Sequence, residues 1–403
     1  MAYLKQKDYL YTKNDPKASK EDTLSLLDQV TEQNELLENI KKEFPLNEDL
    51  DIGGTKIAIN VFNEIDNKKY DYNLSLNNLI NLDFKRVATG NNNYRLVFSV
   101  VSEKDNKILI SNVETIYDAK KKLLDLLLEI NKFSDFMLKN DKRKELVDEL
   151  TSLSKDEDIN NKIFNFRFIS SKDADTEHEF LRSVVTQNRY KTYDNPIILY
   201  ISLILIHNLS KNTNKDFYLD SMHVSDSTLD ASFLEKSGVK IGKGIIVTTG
   251  LIISNSELGD GAAKFNAVYK VENTDGKKVT VIRDELATIN HGNNPDTIKE
   301  KLKKLENLEQ NRKDTILAVK EIKWSKKIKR DDVLKLMALI SRVRNVPSRL
   351  KDSMKKSIDK IDLTKQAYNV IEIFDKLDGF LEEEDPDITL ILESKFNEWL
   401  TKF

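Results

Sequence analysis

The residues able to do chemistry are few and lie far apart. The histidines are His178, His207, His223 and His291. None has the close spacing of a zinc-binding helix motif, so no metal site is expected. There is no cysteine, which excludes disulfides, thiolate ligands and thiol nucleophiles. Glu257 and Asp260 flank a glycine turn. They form a candidate carboxylate pair for metal or acid–base work, and they equally suit an ordinary turn. Asn255 and Ser256 precede them, either to touch a ligand or to satisfy the turn backbone. His291 and Asn293 lie just before Asn294-Pro295, a helix-start signal. A histidine there meets an anion at the helix N-terminus, or is simply a hydrogen-bonded turn residue. Gly53-Gly54-Thr55-Lys56 lacks the spacing of a phosphate-binding loop and reads as a strand-entry turn. No full catalytic constellation is legible, so no catalytic residue is assigned and no cofactor is expected.

The second candidate is electrostatic. The chain carries a net charge of −3, but residues 296–356 hold 19 Lys and Arg against 9 Asp and Glu, a local +10. Trp324 sits there among Lys326, Lys327, Lys329 and Arg330, and Arg342, Arg344 and Arg349 follow. Cations neutralise phosphates and a neighbouring aromatic stacks on bases, which is what sequence-tolerant nucleic-acid binding requires. The competing reading is a solvated face whose charges pair with the acidic remainder of the chain. A smaller signal of the same kind is Arg189-Tyr190, in a polar turn ahead of Asn195-Pro196.

These residues need elements to hold them. Seven of the 12 glycines fall between Gly238 and Gly276, separated by β-branched runs at 245–247, 251–253, 268–271 and 278–282. The pattern predicts short strands and turns, with a hairpin at Asn273-Thr274-Asp275-Gly276. Further strands are expected at 56–62, 94–101, 107–112, 164–168 and 216–224, with a connector at 229–234. The periodicity predicts helices at 19–44, capped by Ser19 with Asp22, at 118–140 and at 143–153. Asn195-Pro196 opens another over the apolar run 197–206. From Asp296 onward the chain reads as helical, at 298–324, 331–343, 350–361, 364–380 and 388–400. The expected fold is α+β: a central mixed or antiparallel sheet from 50–115 and 160–290, a helical C-terminal domain and an N-terminal helix. The expected divisions are an arm at 1–45, an α+β region at 46–157, a β-rich core at 158–294 and a helical domain at 295–403.

With 39% hydrophobic and 33% charged residues, the composition is that of a soluble globular protein. No signal pattern is read at the start, and the run 197–206 is half the ~20 residues of a membrane span. No membrane is therefore expected as a partner. Three segments carry a resemblance: Leu181-Arg182-Ser183-Val184-Val185 with Arg189-Tyr190-Lys191 and Asp194-Asn195; 253–261 with Tyr269; and His291-Gly292-Asn293 opening a helix. Over roughly 160–320 their order resembles the phage- and plasmid-encoded domain-of-unknown-function family that includes the YafZ- and YfjQ-type cryptic-prophage proteins. Where that family often carries Cys-Thr-Asn-Gly before the histidine, this chain has Asn273-Thr274-Asp275-Gly276. The family brings no established reaction. It implies a mobile-element origin, in a bacteriophage with an AT-rich genome. The resulting expectation is a non-enzymatic phage protein that handles nucleic acid in the host cytoplasm. Its alternatives are a virion component or capsid-packaged interaction protein, and a metal-dependent hydrolase or nuclease using Glu257, Asp260 and His291. Other phage proteins and further copies of the chain are compatible partners.

Overall fold

A computed structural model describes residues 4–28, 30, 34–65, 68–87, 94–102, 107–173, 176–187, 190–241, 244–259, 261–303, 305, 308–322, 324, 327–344, 346–360, 369–381, 384 and 386–400. The chain opens with β1 (Gln6–Leu10), α1 (Lys20–Asp28), α2 (Asn34–Glu43), β2 (Ile52–Gly53) and α3 (Thr55–Ile65). There follow β3 (Lys69–Leu74), β4 (Leu79–Arg86), β5 (Tyr94–Val101) and β6 (Ile108–Thr115). Four helices come next: α4 (Ala119–Leu128), α5 (Asn131–Lys139), α6 (Arg143–Leu153) and the short α7 (Glu157–Asn160). The centre holds β7 (Phe164–Asp173), β8 (Thr176–Thr186), α8 (Asn195–Thr213), β9 (Phe217–Ser225), β10 (Thr228–Glu235), β11 (Val239–Lys240), β12 (Ile246–Ser256), β13 (Ala263–Glu272) and β14 (Lys278–Ile289). The remainder is α9 (Pro295–Leu302), α10 (Leu308–Glu321), α11 (Arg330–Arg342), α12 (Ser348–Asp359), α13 (Val370–Asp378) and α14 (Pro386–Leu400).

The fold is α+β, with two sheets in place of the single expected one. The larger sheet runs β1-β9-β10-β12-β13-β14, with β2 added parallel to β9 and β11 added to β12. The smaller runs β3-β7-β8-β6-β5-β4 and is antiparallel except where Glu114 and Thr115 of β6 pair parallel with Phe180 and Leu181 of β8. Strands from both sides of the expected 157/158 division therefore share one sheet. The smaller sheet packs Phe84, Phe98, Phe166 and Phe168 against Leu123 and Leu127 of α4 and Leu146 and Leu150 of α6.

In the larger sheet, α8 is the central plug. Ile197, Ile198, Leu199, Tyr200 and Ile201 are all buried in sequence, so the helix is enclosed on every side. Along one face of β12, period two places Val247, Leu251 and Ile253 on the same side. Leu251 and Ile253 meet the core around α8, while Val247 joins a second core with Val271, Val279, Val281 and the C-terminal helices. α8 and the C-terminal layer thus cover neighbouring parts of one sheet.

Several local signals hold. Ser19 and Asp22 exchange backbone–side-chain bonds at 3.1 and 3.0 Å, the capping box expected of them. At the β13–β14 turn, Asn273 N donates to Lys277 O at 3.0 Å and Gly276 takes φ +76°. Others are corrected. The 19–44 helix is two helices, α1 and α2. The 118–140 helix divides at Glu129, whose φ of +56° ends α4. The "connector" at 229–234 is strand β10, paired on both sides. The "strand" at 56–62 is helix α3, because Ala58, Phe62 and Ile65, with Thr55 and Ile59, recur at helical spacing and are buried together. Gly53-Gly54 accordingly enters a helix, yet the start of that helix is already satisfied. Gly54 N donates to Asp15 O, Lys56 N to Pro16 O, and Thr55 Oγ1 accepts from Ala18 N.

Candidate functional site

The two sheets meet through a buried ionic seam. On β7, alternation sends Phe164, Phe166 and Phe168 into the core of the smaller sheet. Arg167 is therefore turned to the opposite face, toward the larger sheet, and its register partner on β3 is Asp71. On β8 the ladder pairs Arg167 with Ser183 and Phe168 with Leu181, skipping Arg182. That bulge re-aims Arg182 out of the strand alternation and brings it beside Arg167. The larger sheet answers with Glu257, in the turn that leaves β12, and the start of α8 supplies Asp194.

The geometry is tight. Arg167 Nε donates to Asp71 at 3.2 Å and Nη2 to the two Asp194 oxygens at 2.6 and 2.8 Å. Its Nη1 donates to the Glu257 carbonyl at 2.7 Å and to the Tyr190 hydroxyl at 3.1 Å. The Glu257 carboxylate is fully buried. It accepts from Arg182 Nη1, from Lys69 Nζ at 3.2 Å and from Asn195 N at 2.8 Å. Three cations thus face three carboxylates. Burial pushes the Glu257 carboxyl up, but Lys69, Arg182 and Arg167 outweigh it and hold the group below its ordinary value. For Asp71 burial prevails over Arg167 and Arg182, and its carboxyl is raised. Burial pulls against the charge of Arg167, yet Asp194 and Asp71 keep it firmly protonated. The turn fits closely against β8: Gly259 has φ +75°, and a Cβ there would meet Val185 Cγ1 at 2.5 Å.

Around this seam the other central residues act as fasteners. Asn255 Nδ2 donates to Tyr193 O at 3.2 Å and Asn195 Oδ1 at 2.8 Å. Ser256 Oγ accepts from Leu258 N at 3.3 Å. Tyr190 stacks on His291 with ring centroids 4.5 Å apart, and the Arg167 guanidinium lies 5.4 Å from the Tyr190 ring. His291 Nδ1 is 3.2 Å from Lys191 O, and burial holds its pKa below the ordinary value. Asn293 Oδ1 accepts from Asn290 N at 3.0 Å and from Lys301 at 2.9 Å. Arg182, Tyr190, Asp194, Asn195, Asn255, Glu257 and His291, drawn from three separate sequence segments, therefore converge. Arg167, Lys69 and Asp71 join them, and nothing in the sequence links these three to the other seven. The signal for Arg167 was an arginine within a Phe-rich strand, on the face opposite the phenylalanines.

As a catalytic pair, Glu257 and Asp260 lack support. All of Glu257's carboxylate is committed to partners, and Asp260 lies outside the described residues. Among the described residues no group of three His, Asp or Glu is placed to hold a metal ion. Arg189 also lies outside them. Beside the seam a cleft of about 970 Å³ opens between α2, β3, β7, Gln187 and the 190–196 segment, with Asn294 and Asp296 on its edge.

The basic segment divides in two. Lys299, Lys303, Arg312 and Arg349 pair with Glu43, Glu300, Glu235 and Glu384, as the competing reading of the charges requires. Lys327, Lys329, Arg330, Lys335, Arg342 and Arg344 are instead exposed, and among the described residues none of them pairs with a carboxylate. Lys326 lies outside the described residues. Lys335 and Arg342, seven residues apart on α11, share the face opposite the buried Val333, Leu336 and Ile340. Trp324 is a correction. Its indole is 7% exposed in the C-terminal core and donates to Val319 O at 2.8 Å, so it has no free face on which a base could stack.

No family model matches the chain, and neither a curated protein nor a solved structure does. No helix among the described residues is long and apolar enough to cross a membrane.

Proposed function

We propose that this is a non-enzymatic protein that handles nucleic acid, contacting phosphates through the exposed cations at 327–344. The observation that carries the reading is that, among the described residues, Lys327, Lys329, Arg330, Lys335, Arg342 and Arg344 have no carboxylate partner, in a chain otherwise rich in ion pairs. From Lys335 to Arg342 a helix rises about 10 Å, which spans about three steps of a nucleic-acid strand. With Trp324 buried, the reading rests on backbone charge and includes no base stacking. Binding is then independent of sequence and sensitive to salt. A phage or plasmid origin, with the host cytoplasm as setting, belongs to the same proposal and rests on the resemblance.

The test is fluorescence anisotropy with single- and double-stranded DNA over a salt series, comparing the native chain with Lys327→Glu/Lys329→Glu/Arg330→Glu. The native chain is expected to bind at low salt, with log affinity falling linearly in log salt. The variant loses about tenfold or more, with a salt slope shallower by about one for each phosphate contact removed. Absence of binding at low ionic strength, or equal affinity in the variant, overturns the reading.

A further inference from the structure

We propose that the cleft beside the ionic seam binds a small phosphate ester carried on a hydroxylated scaffold, a nucleoside monophosphate or a sugar phosphate, and that Arg182 receives the phosphate. Two arginines stand on the cleft wall, Arg167 and Arg182. Arg167 spends its donors on Asp71, Asp194, Tyr190 and the Glu257 carbonyl. Arg182 does not. It is 1% exposed, its Nη1 is held by Glu257, and its Nε and Nη2 have no hydrogen-bond partner. Asp194 forms an ion pair with Nη2 at 3.7 Å, too long for a hydrogen bond. Nε–H and Nη2–H form the side-on edge of a guanidinium, the parallel fork that two oxygens of a phosphate or carboxylate accept together. Buried donors are nearly always satisfied, so an enclosed and unpartnered fork on an arginine that lines a cleft points to an oxyanion partner.

The surroundings define the rest of the ligand. The charged side chains lining the cleft are five cations and five carboxylates. That balance disfavours a polyanion such as a nucleic-acid strand and suits one anionic group on a neutral body. Asn39, Asn73 and Gln187 offer amides that both donate and accept, and Asp296 offers an acceptor for hydroxyls. Tyr70 supplies ring surface. A volume of about 970 Å³ fits a molecule of nucleotide size with room to spare, and far exceeds a bare ion. None of the residues at 327–344 lines the cleft, so ester binding is separate from contact with nucleic acid.

The experiment is calorimetric titration of the full chain with nucleoside monophosphates, with pentose and hexose phosphates, and with inorganic phosphate alone. At least one ester is expected to bind at or below ~1 mM and more tightly than inorganic phosphate. Arg182→Lys keeps a cation for Glu257 and removes the fork, and it should weaken that ester at least about tenfold. Gln187→Trp, at an exposed position on the wall, fills the cleft and should weaken the ester with the melting temperature unchanged. Lys327→Glu/Lys329→Glu/Arg330→Glu should leave ester binding intact. Binding of only nucleotides or only sugar phosphates identifies the source. The proposal is overturned if no ester binds, if inorganic phosphate binds as tightly as the best ester, or if both cleft variants bind as the native chain does.

Discussion

Glu257 shows how environment decides what a carboxylate does. Next to Asp260 in the sequence it resembles half of an acid–base pair. In the fold both of its oxygens are taken, by Lys69, by Arg182 and by the Asn195 backbone. Buried ion networks of this kind add little net stability, but opening one strands the remaining charges. Glu257→Ala should therefore cost about 3–5 kcal/mol in urea unfolding. A loss below about 1 kcal/mol, typical of a surface pair, would show that the seam is hydrated and not structural. At this scale the sequence was readable for types and unreadable for partners. Arg182, Asp194, Asn255 and His291 all stood out, but their convergence depends on the bulge at Arg182 and on the turn after β12. Arg167 is hidden in the sequence because Phe164, Phe166 and Phe168 explain the strand without it.

Elements were legible where a local cap or turn fixes the backbone. Asn195-Pro196, Asn294-Pro295, Ser19 with Asp22 and the turn at Asn273 each marked a boundary that the fold keeps. They failed where composition and packing disagree. The β-branched run at 56–62 suggested a strand, but burial of Ala58, Phe62 and Ile65 along one stripe makes it α3. Trp324 failed in the opposite direction, since a charged neighbourhood hid a core residue. Trp324→Ala should cost about 3–5 kcal/mol in chemical denaturation, from the lost packing and from the unpaired Val319 carbonyl. Native stability in that variant, with weakened DNA binding, would restore the ring to the binding surface.

For the whole molecule, the C-terminal helices and α8 shield adjoining parts of one sheet, so the expected helical domain at 295–403 is a layer on the sheet and not an appendage. Val247, Tyr269, Val271, Val279 and Val281 share its core. A chain ending at Asn294 leaves that apolar surface bare and should elute from a sizing column as aggregate. A monomeric, cooperatively melting product would mean the layer is dispensable.

The edge strand β1 has a consequence for synthesis. Gln6–Leu10 pairs with Ser221–Ser225, more than two hundred positions later. At about 5–20 residues per second, a ribosome exposes this strand for roughly 10–40 s before its mate emerges. Throughout that interval its hydrogen-bonding groups are open to water, to chaperones or to another nascent copy, and Lys7 and Asp8 within it supply the charge that discourages the last of these.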